Sequence, residues 1–304
     1  MLKDILINEG VNESLLKEVD KFKAFYKLEE NLKDRIPDPR FVYYGKEVWE
    51  KAIAGILSGH HLLLSGPKAT GKNVLAENLA LLFSRPLWTI SLNVSTDSDS
   101  LIGSDTFKDG RVTLKKGPIY QCGFYGGFGI LDEINMAKNE SLSAIHSALD
   151  YRRVIDVPGY DKLKLHEATR FIATMNYGYI GTRDLNEALV SRFLVIDMPR
   201  IKFEDLKKIL KKEGNLKEEF LERFARLFLD LQDKSLNSEI SSKTIDLRGM
   251  IASLELMKIG LGLIPSLEMG IMDKAFDPYE KEIVMDTCKT LFDFSIKPED
   301  FFEN

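Results

Sequence analysis

His61-Leu62-Leu63-Leu64-Ser65-Gly66-Pro67-Lys68-Ala69-Thr70-Gly71-Lys72-Asn73 is the stretch on which the reading of the whole chain turns. His61–Ser65 is an apolar run of strand length, and residues 73–82 continue at helical spacing. Between them lies G-x4-G-K, from Gly66 to Lys72. Placed between a strand and a helix, the backbone N–H groups of such a loop converge on phosphate oxygens. The helix N-terminus adds roughly half a positive charge. Lys72 supplies a point charge for the β- and γ-phosphates. Gly66, Pro67, Lys68, Ala69, Thr70, Gly71, Lys72 and Asn73 are therefore candidate residues for holding a nucleoside triphosphate. The pattern normally closes on Ser or Thr, whose hydroxyl ligates Mg²⁺, whereas here it closes on Asn73. An amide oxygen also binds a hard cation, directly or through water. The departure bears on Mg²⁺ affinity and turnover, not on phosphate binding.

Outward from this loop, short apolar runs alternate with helical stretches between His60 and Pro199. The expected strands are His61–Ser65, Leu87–Leu92, Phe128–Leu131, Thr169–Thr174 and Leu194–Asp197. Their near-continuous apolar character suits a five-stranded parallel sheet covered on both faces, hence an α/β fold. Two hairpin signals interrupt the pattern: Ser104–Lys116 turning at Asp109-Gly110, and Arg152–His166 turning at Pro158-Gly159. Upstream, Leu15, Val19, Phe22 and Tyr26 predict an amphipathic helix over residues 12–30, and a further helix is expected over Lys46–Leu57. Pro37 and Pro39 separate the two. Beyond Pro199 the chain reads as helical, with Phe220, Phe224, Leu227, Phe228 and Leu231 forming one apolar stripe. The expected division is thus 1–36, a helical extension; 37–199, the α/β domain; and 200–304, a helical domain.

Two more strand ends carry chemistry. Phe128-Gly129-Ile130-Leu131-Asp132-Glu133 finishes in two carboxylates, at the carboxyl edge where α/β sheets bind ligands. Alone it reads equally as a strand running into a solvated acidic turn. Beside a phosphate loop, Asp132 would join the Mg²⁺ shell and Glu133 would orient or deprotonate an attacking water. Gly126-Gly127 lets the chain turn into this strand. Phe171-Ile172-Ala173-Thr174-Met175-Asn176 ends in an amide that would reach the γ-phosphate or that water, if its strand is adjacent. A turn-forming asparagine is the plain alternative.

Taken together, these residues make the chain resemble an AAA+ ATPase of the MoxR group, near the branch holding the CbbQ, NorQ and GvpN proteins. Gly117-Pro118, Leu131-Asp132-Glu133-Ile134-Asn135, Gly181-Thr182 and Ser191-Arg192-Phe193 belong to the likeness, which covers about residues 40–260. The resemblance implies a P-loop NTPase core of the AAA+ kind with a helix-2 insert, a pre-sensor-1 hairpin and a C-terminal helical lid. It implies ATP and Mg²⁺ as cofactors, hydrolysis of the terminal phosphoanhydride between subunits of a ring, commonly a hexamer, and remodelling of a client protein. Such proteins often act with a von Willebrand factor A domain partner. Asn176 would match sensor 1, Arg192 the arginine finger acting on the neighbour's nucleotide, with Arg183 as the alternative, and Arg248 sensor 2. Arg248 also reads as a surface arginine, and Tyr43-Tyr44 as either adenine-pocket lining or packing. The two hairpins would face a central pore and touch the client.

Composition narrows the partners. Forty-seven acidic against 42 basic residues give a net charge of −5, which offers no general attraction for nucleic acid. A nucleic-acid-directed AAA+ motor is the rival that DNA-stimulated turnover would support. A nucleotide switch with weak hydrolysis is the rival that Asn73 suggests. Met1-Leu2-Lys3-Asp4 opens no signal peptide, and no run approaches the about 18 apolar residues of a membrane helix. With two distant cysteines, Cys122 and Cys288, read as free buried thiols, a cytoplasmic protein is expected. His60-His61, His146 and His166 have no metal-ligand spacing.

Overall fold

Leu62 and Leu64 belong to the apolar cluster on one face of the first strand, Leu63 to the cluster on the other. That two-sided burial is why the strand reads as an unbroken apolar run. The computed structural model describes residues 2–108, 110–177 and 185–303. It divides into two compact units, Met1–Pro199 and Arg200–Asn304.

In the first unit the sheet strands are β1 (His61–Gly66), β2 (Leu87–Ser91), β3 (Phe128–Asp132), β4 (Arg170–Asn176) and β5 (Phe193–Asp197). They lie in the order β2-β3-β4-β1-β5, and every pairing is parallel. The expected α/β class and five-stranded sheet are borne out, with strand ends displaced by a residue or two. One face carries Leu62, Leu64, Ile130 and Ile172 against Trp49, Ile53, Leu75 and Leu79. The other carries Leu63, Leu131, Phe171 and Ala173 against Ile119, Cys122, Ile134 and Leu142.

Both hairpins are present. Gly103–Lys108 pairs antiparallel with Arg111–Lys116, and Val154–Ile155 with Leu163–Lys164. Of the first expected turn, Asp109 lies outside the described residues. In the second, Gly159 adopts φ 84°. The Tyr160 hydroxyl donates to Asp105 Oδ1 at 2.6 Å, which fastens one hairpin to the other.

The N-terminal segment is built into this unit. Leu6, Val11, Leu16, Val19 and Phe22 share the cluster of Leu62 and Ile172. The amphipathic helix runs Glu13–Phe25, shorter than the expected 12–30, and a 3₁₀ turn follows at Glu30–Arg35. Arg85 helps explain the early stop: its buried guanidinium takes the Tyr26 carbonyl at 2.8 Å, together with those of Gly126 at 2.8 Å and Tyr125 at 3.3 Å. Gly126 closes the helix Pro118–Tyr125 at φ 68°, where a Cβ would strike the His166 ring.

His61 is a structural histidine. It is buried, and its Nδ1 accepts the Phe171 N–H at 2.9 Å, so the ring proton sits on Nε2. Burial holds its pKa down to about 3 from 6.5, with the Arg153 and Arg170 charges adding to the effect. The unfolded chain takes up this proton near 6.5 and the folded chain does not until about 3, so stability falls as pH drops through that window. The slope from this one group reaches roughly 1.4 kcal/mol per pH unit. Urea unfolding between about pH 7.5 and 4.5 should show it. His61→Gln, which keeps an acceptor for Phe171, should flatten His61's share of the curve. Equal slopes in the two proteins would assign the acid sensitivity elsewhere.

The second unit contains the helices Phe203–Gly214, Glu218–Leu236, Leu247–Lys258, Leu263–Gly270 and Pro278–Leu291. The predicted stripe of Phe220, Phe224, Leu227, Phe228 and Leu231 is buried throughout, and Phe224 packs on Phe292 with ring centroids 4.7 Å apart. Leu247–Lys258 and Leu263–Gly270 cross with their backbones in contact. A Cβ on Gly249 would collide with the Gly270 carbonyl, and one on Gly270 with the Gly249 carbonyl. Cys122 and Cys288 are both free and buried; burial raises both thiols, Cys288 to about 12. Among the described residues no helix is long and apolar enough to cross a membrane.

Candidate functional site

The three motifs end three adjacent strands. Gly66 closes β1 directly opposite Asn176 of β4. β4 in turn pairs with β3, whose last residue is Asp132. Neighbouring strands lie roughly 5 Å apart, so loop, amide and acidic pair share one carboxyl edge.

The loop turns through two left-handed residues, Ala69 at φ 59° and Gly71 at φ 82°. Gly71 is the N-cap of the helix Lys72–Leu82, which starts one residue before the expected Asn73. A Cβ on Gly71 would sit 3.0 Å from the Tyr43 ring. Tyr43 is buried there, its N–H donating to Asn78 Oδ1 and its carbonyl accepting from Trp49 Nε1, both at 2.9 Å. Tyr44 and Lys68 are half-buried, as is Asn73 in the first helical turn. Thr70 Oγ1 donates to the Pro67 carbonyl at 3.1 Å. The Lys72 ammonium spans the loop, donating to Gly66 O at 2.9 Å and Pro67 O at 2.7 Å. Burial lowers its pKa to about 8, against the opposing pull of Asp132 and Glu133. A polyanion at the loop would offset that burial and hold the lysine charged.

Thr174 organises the acidic pair. Its hydroxyl donates to Asp132 Oδ1 at 2.6 Å and accepts the Glu133 N–H at 3.1 Å. Glu133 takes a left-handed conformation, φ 56° and ψ 49°, with its side chain exposed. A non-glycine residue there carries roughly 1–2 kcal/mol of strain, which the two anchored neighbours sustain. Asn135, buried at 3% exposure, donates from Nδ2 to the Asn176 carbonyl at 3.1 Å and so holds the end of β4. Tyr177 OH donates to Asp197 Oδ1 at 2.8 Å.

Arg192 follows the short helix Glu187–Val190 and is held within its own chain. It donates to the Ala188 carbonyl and to His146 O at 3.3 Å, and pairs with Asp150 at 3.7 Å. Asp150 is also gripped by Arg152 at 2.6 Å. None of these partners belongs to the phosphate loop. Arg183, with Gly181 and Thr182, lies outside the described residues. Arg248 is in the second unit, exposed in the first turn of Leu247–Lys258, its N–H on Asp246 Oδ1 at 3.0 Å.

Residues 61–193, which hold all three strand-end motifs, match the family model of the AAA domain, dynein-related subfamily. The protein YojN of Bacillus subtilis strain 168 is 36% identical over 251 residues, covering 80% of this chain and 81% of that protein. A protein of Staphylococcus aureus strain NCTC 8325 is 30% identical over 239 residues, 76% of this chain and 90% of that one. The chain belongs to the AAA+ ATPase family. A crystal structure from Cytophaga hutchinsonii, 16% identical, covers 92% of this chain and 98% of its own at a TM-score of 0.46, too loose an overlay to carry an argument. Membership brings nucleotide binding as the family's shared property, on a fold that suits assembly into rings. The parallel sheet, the inserted hairpins and the C-terminal helical unit are those of an AAA+ core.

In this AAA+ ATPase two positioning residues escaped the sequence reading, Thr174 and Asn135. Both stood inside quoted motifs, and register would have found Thr174, which lies on β4 one step beyond the Leu131–Ala173 pair and so faces Asp132. Among the described residues no group of three or more His, Cys, Asp or Glu could hold a metal ion. The Asp132 carboxylate and the Asn73 amide are oxygen donors of the hard kind that Mg²⁺ takes, an ion that keeps several waters and is bound through few protein ligands plus phosphate oxygens.

Proposed function

We propose that this AAA+ ATPase acts in the manner of the MoxR group: it hydrolyses ATP within a ring, commonly a hexamer, and uses the cycle to remodel, activate or assemble a partner protein. The observation that carries this reading is the Thr174-anchored acidic pair on the same sheet edge as the phosphate loop. In this reading the loop Gly66–Asn73 binds the phosphates, Lys72 neutralising their charge. Asp132 and Asn73 hold Mg²⁺, which would draw charge from the phosphate oxygens. Glu133 orients or deprotonates the attacking water, and Asn176 reaches that water or the γ-phosphate. Arg192 acts on the neighbouring subunit's nucleotide, Arg248 reports nucleotide to the lid, and Tyr43 and Tyr44 border the base. The paired hairpins touch the client, with a von Willebrand factor A domain protein as the partner the resemblance suggests. The charge of −5 argues against nucleic acid. A cytoplasmic place of action goes with this reading.

Lys72→Ala tests the site. Losing a charge-assisted contact worth about 1.5–3 kcal/mol should weaken ATP binding by roughly 10–100-fold and abolish steady turnover. Fluorescent-nucleotide titration and phosphate release measure both. An unchanged affinity would move the nucleotide away from this loop. Asn73 is the one observation that favours a slow switch over a motor. Asn73→Thr leaves turnover level in a motor and raises it in a switch.

A further inference from the structure

We infer that Thr174 is the residue that orients the metal-binding carboxylate of this chain, whose nucleotide loop closes on Asn73 and not on a hydroxyl. The inference rests on the reading of Asp132 as a Mg²⁺ ligand.

Asn73 leaves the end of the loop without a hydroxyl. Asp132 is nevertheless not free to turn. A carboxylate torsion is broad and nearly two-fold, so an unrestrained Asp132 would present either oxygen. Thr174 removes that freedom. A hydroxyl has one proton and two lone pairs. The Glu133 N–H occupies a lone pair at 3.1 Å, and the proton goes to Asp132 Oδ1 at 2.6 Å, the length of a charge-assisted O–H···O⁻ bond. Oδ1 is thereby engaged, and Oδ2 is left to face a cation or its water shell.

The hydroxyl is itself fixed. Thr174 is 1% exposed, β-branched and therefore stiff at χ1, and its backbone sits opposite Leu64 in the centre of the sheet. Asp132 is consequently held by the sheet, not by a loop that must close around nucleotide. One side chain sets both acidic residues, Asp132 through its carboxylate and Glu133 through its backbone in the left-handed turn.

The readout is metal binding, which a purely structural threonine would not move. Mn²⁺ replaces Mg²⁺, ADP replaces ATP, and bound Mn²⁺ is counted by electron paramagnetic resonance on the full chain. Thr174→Val keeps shape and removes the hydroxyl. It should weaken Mn²⁺ binding in the ADP complex by about 10–100-fold, the usual effect of losing a partner that orients a metal ligand. ADP affinity in EDTA should be unchanged, and Thr174→Ser should bind Mn²⁺ as the natural chain does. Natural Mn²⁺ affinity in Thr174→Val overturns the inference. Should the valine variant not fold, Thr174→Ala and Thr174→Ser decide: loss in the first alone supports it, and equal affinity in the two overturns it. Asp132→Asn run alongside separates the two levels. Lost Mn²⁺ in Asp132→Asn with none lost in Thr174→Val removes Thr174 only, whereas Mn²⁺ retained in Asp132→Asn removes the reading of Asp132 on which it rests.

Discussion

Glu133→Gln should slow steady ATP turnover by about 10²–10⁴-fold while leaving nucleotide affinity close to that of the natural chain, the range expected when a positioned general base is lost. The substitution is chosen for what it keeps. Glutamine has the shape of glutamate, and the backbone N–H that Thr174 receives is untouched, so the left-handed turn stays anchored. Only the basic oxygen is removed. Glu133 is exposed at the sheet edge, whereas Asp132 is half-buried and bonded to Thr174, which matches a division between a group that meets water and one that meets the cation. Phosphate release under saturating Mg²⁺ and ATP gives the rate, and equilibrium binding gives the affinity. Turnover near the natural rate would take Glu133 out of the chemistry. A fall in affinity of the same size as the fall in rate would make it a binding residue instead.

Arg192→Ala should cost more, about 10³–10⁵-fold in turnover, because a guanidinium on the transferring phosphoryl group offsets charge that appears only in the transition state. Within one chain Arg192 rests on Asp150 and on the carbonyls of His146 and Ala188. It must give up some of these contacts to serve a neighbour. That arrangement leads to a mixing experiment. Lys72→Ala subunits have no working loop but keep Arg192, and Arg192→Ala subunits keep the loop. Neither should turn over ATP alone. Co-assembled, a fraction of junctions pairs an intact loop with an intact arginine, and measurable phosphate release should return. No recovery, from subunits shown by size to have assembled together, would place Arg192 outside the neighbour's site. Full turnover by Arg192→Ala alone would pass the role to Arg183.

The parts of the site that could be read in advance were those whose meaning is local. Gly66–Lys72 announces a phosphate loop because its neighbours along the chain are a strand and a helix. Asp132 and Asn176 each end an apolar strand, and they stand out as candidates only beside that loop, since each alone also reads as a turn residue. Double-sided burial of Leu62, Leu63 and Leu64 is legible for the same reason. What stayed hidden depends on register between strands distant in sequence. Thr174 faces Asp132 only because β4 lies between β3 and β1, and Asn135 reaches the Asn176 carbonyl only across the same junction. The helix expected over residues 12–30 ended at Phe25, and the arginine that takes the next carbonyl stands 59 positions further on. Periodicity holds no information about such a partner. Arg192 marks the opposite limit: the resemblance singles it out, while its contacts with Asp150, His146 and Ala188 leave no trace in spacing.

The guanidinium of Arg85 gives the first 36 residues a weight that their distance from the phosphate loop hides. A chain shortened to begin near Pro37 would lose the acceptor at Tyr26 and the apolar side chains of Leu6, Leu16 and Phe22 together. It would give up a hydrogen bond to a charged group, of the kind worth about 1.5–3 kcal/mol, and uncover the apolar surface that those side chains bury. The α/β half of this protein is thus no detachable cassette. Its opening helices serve as a wall of the same room.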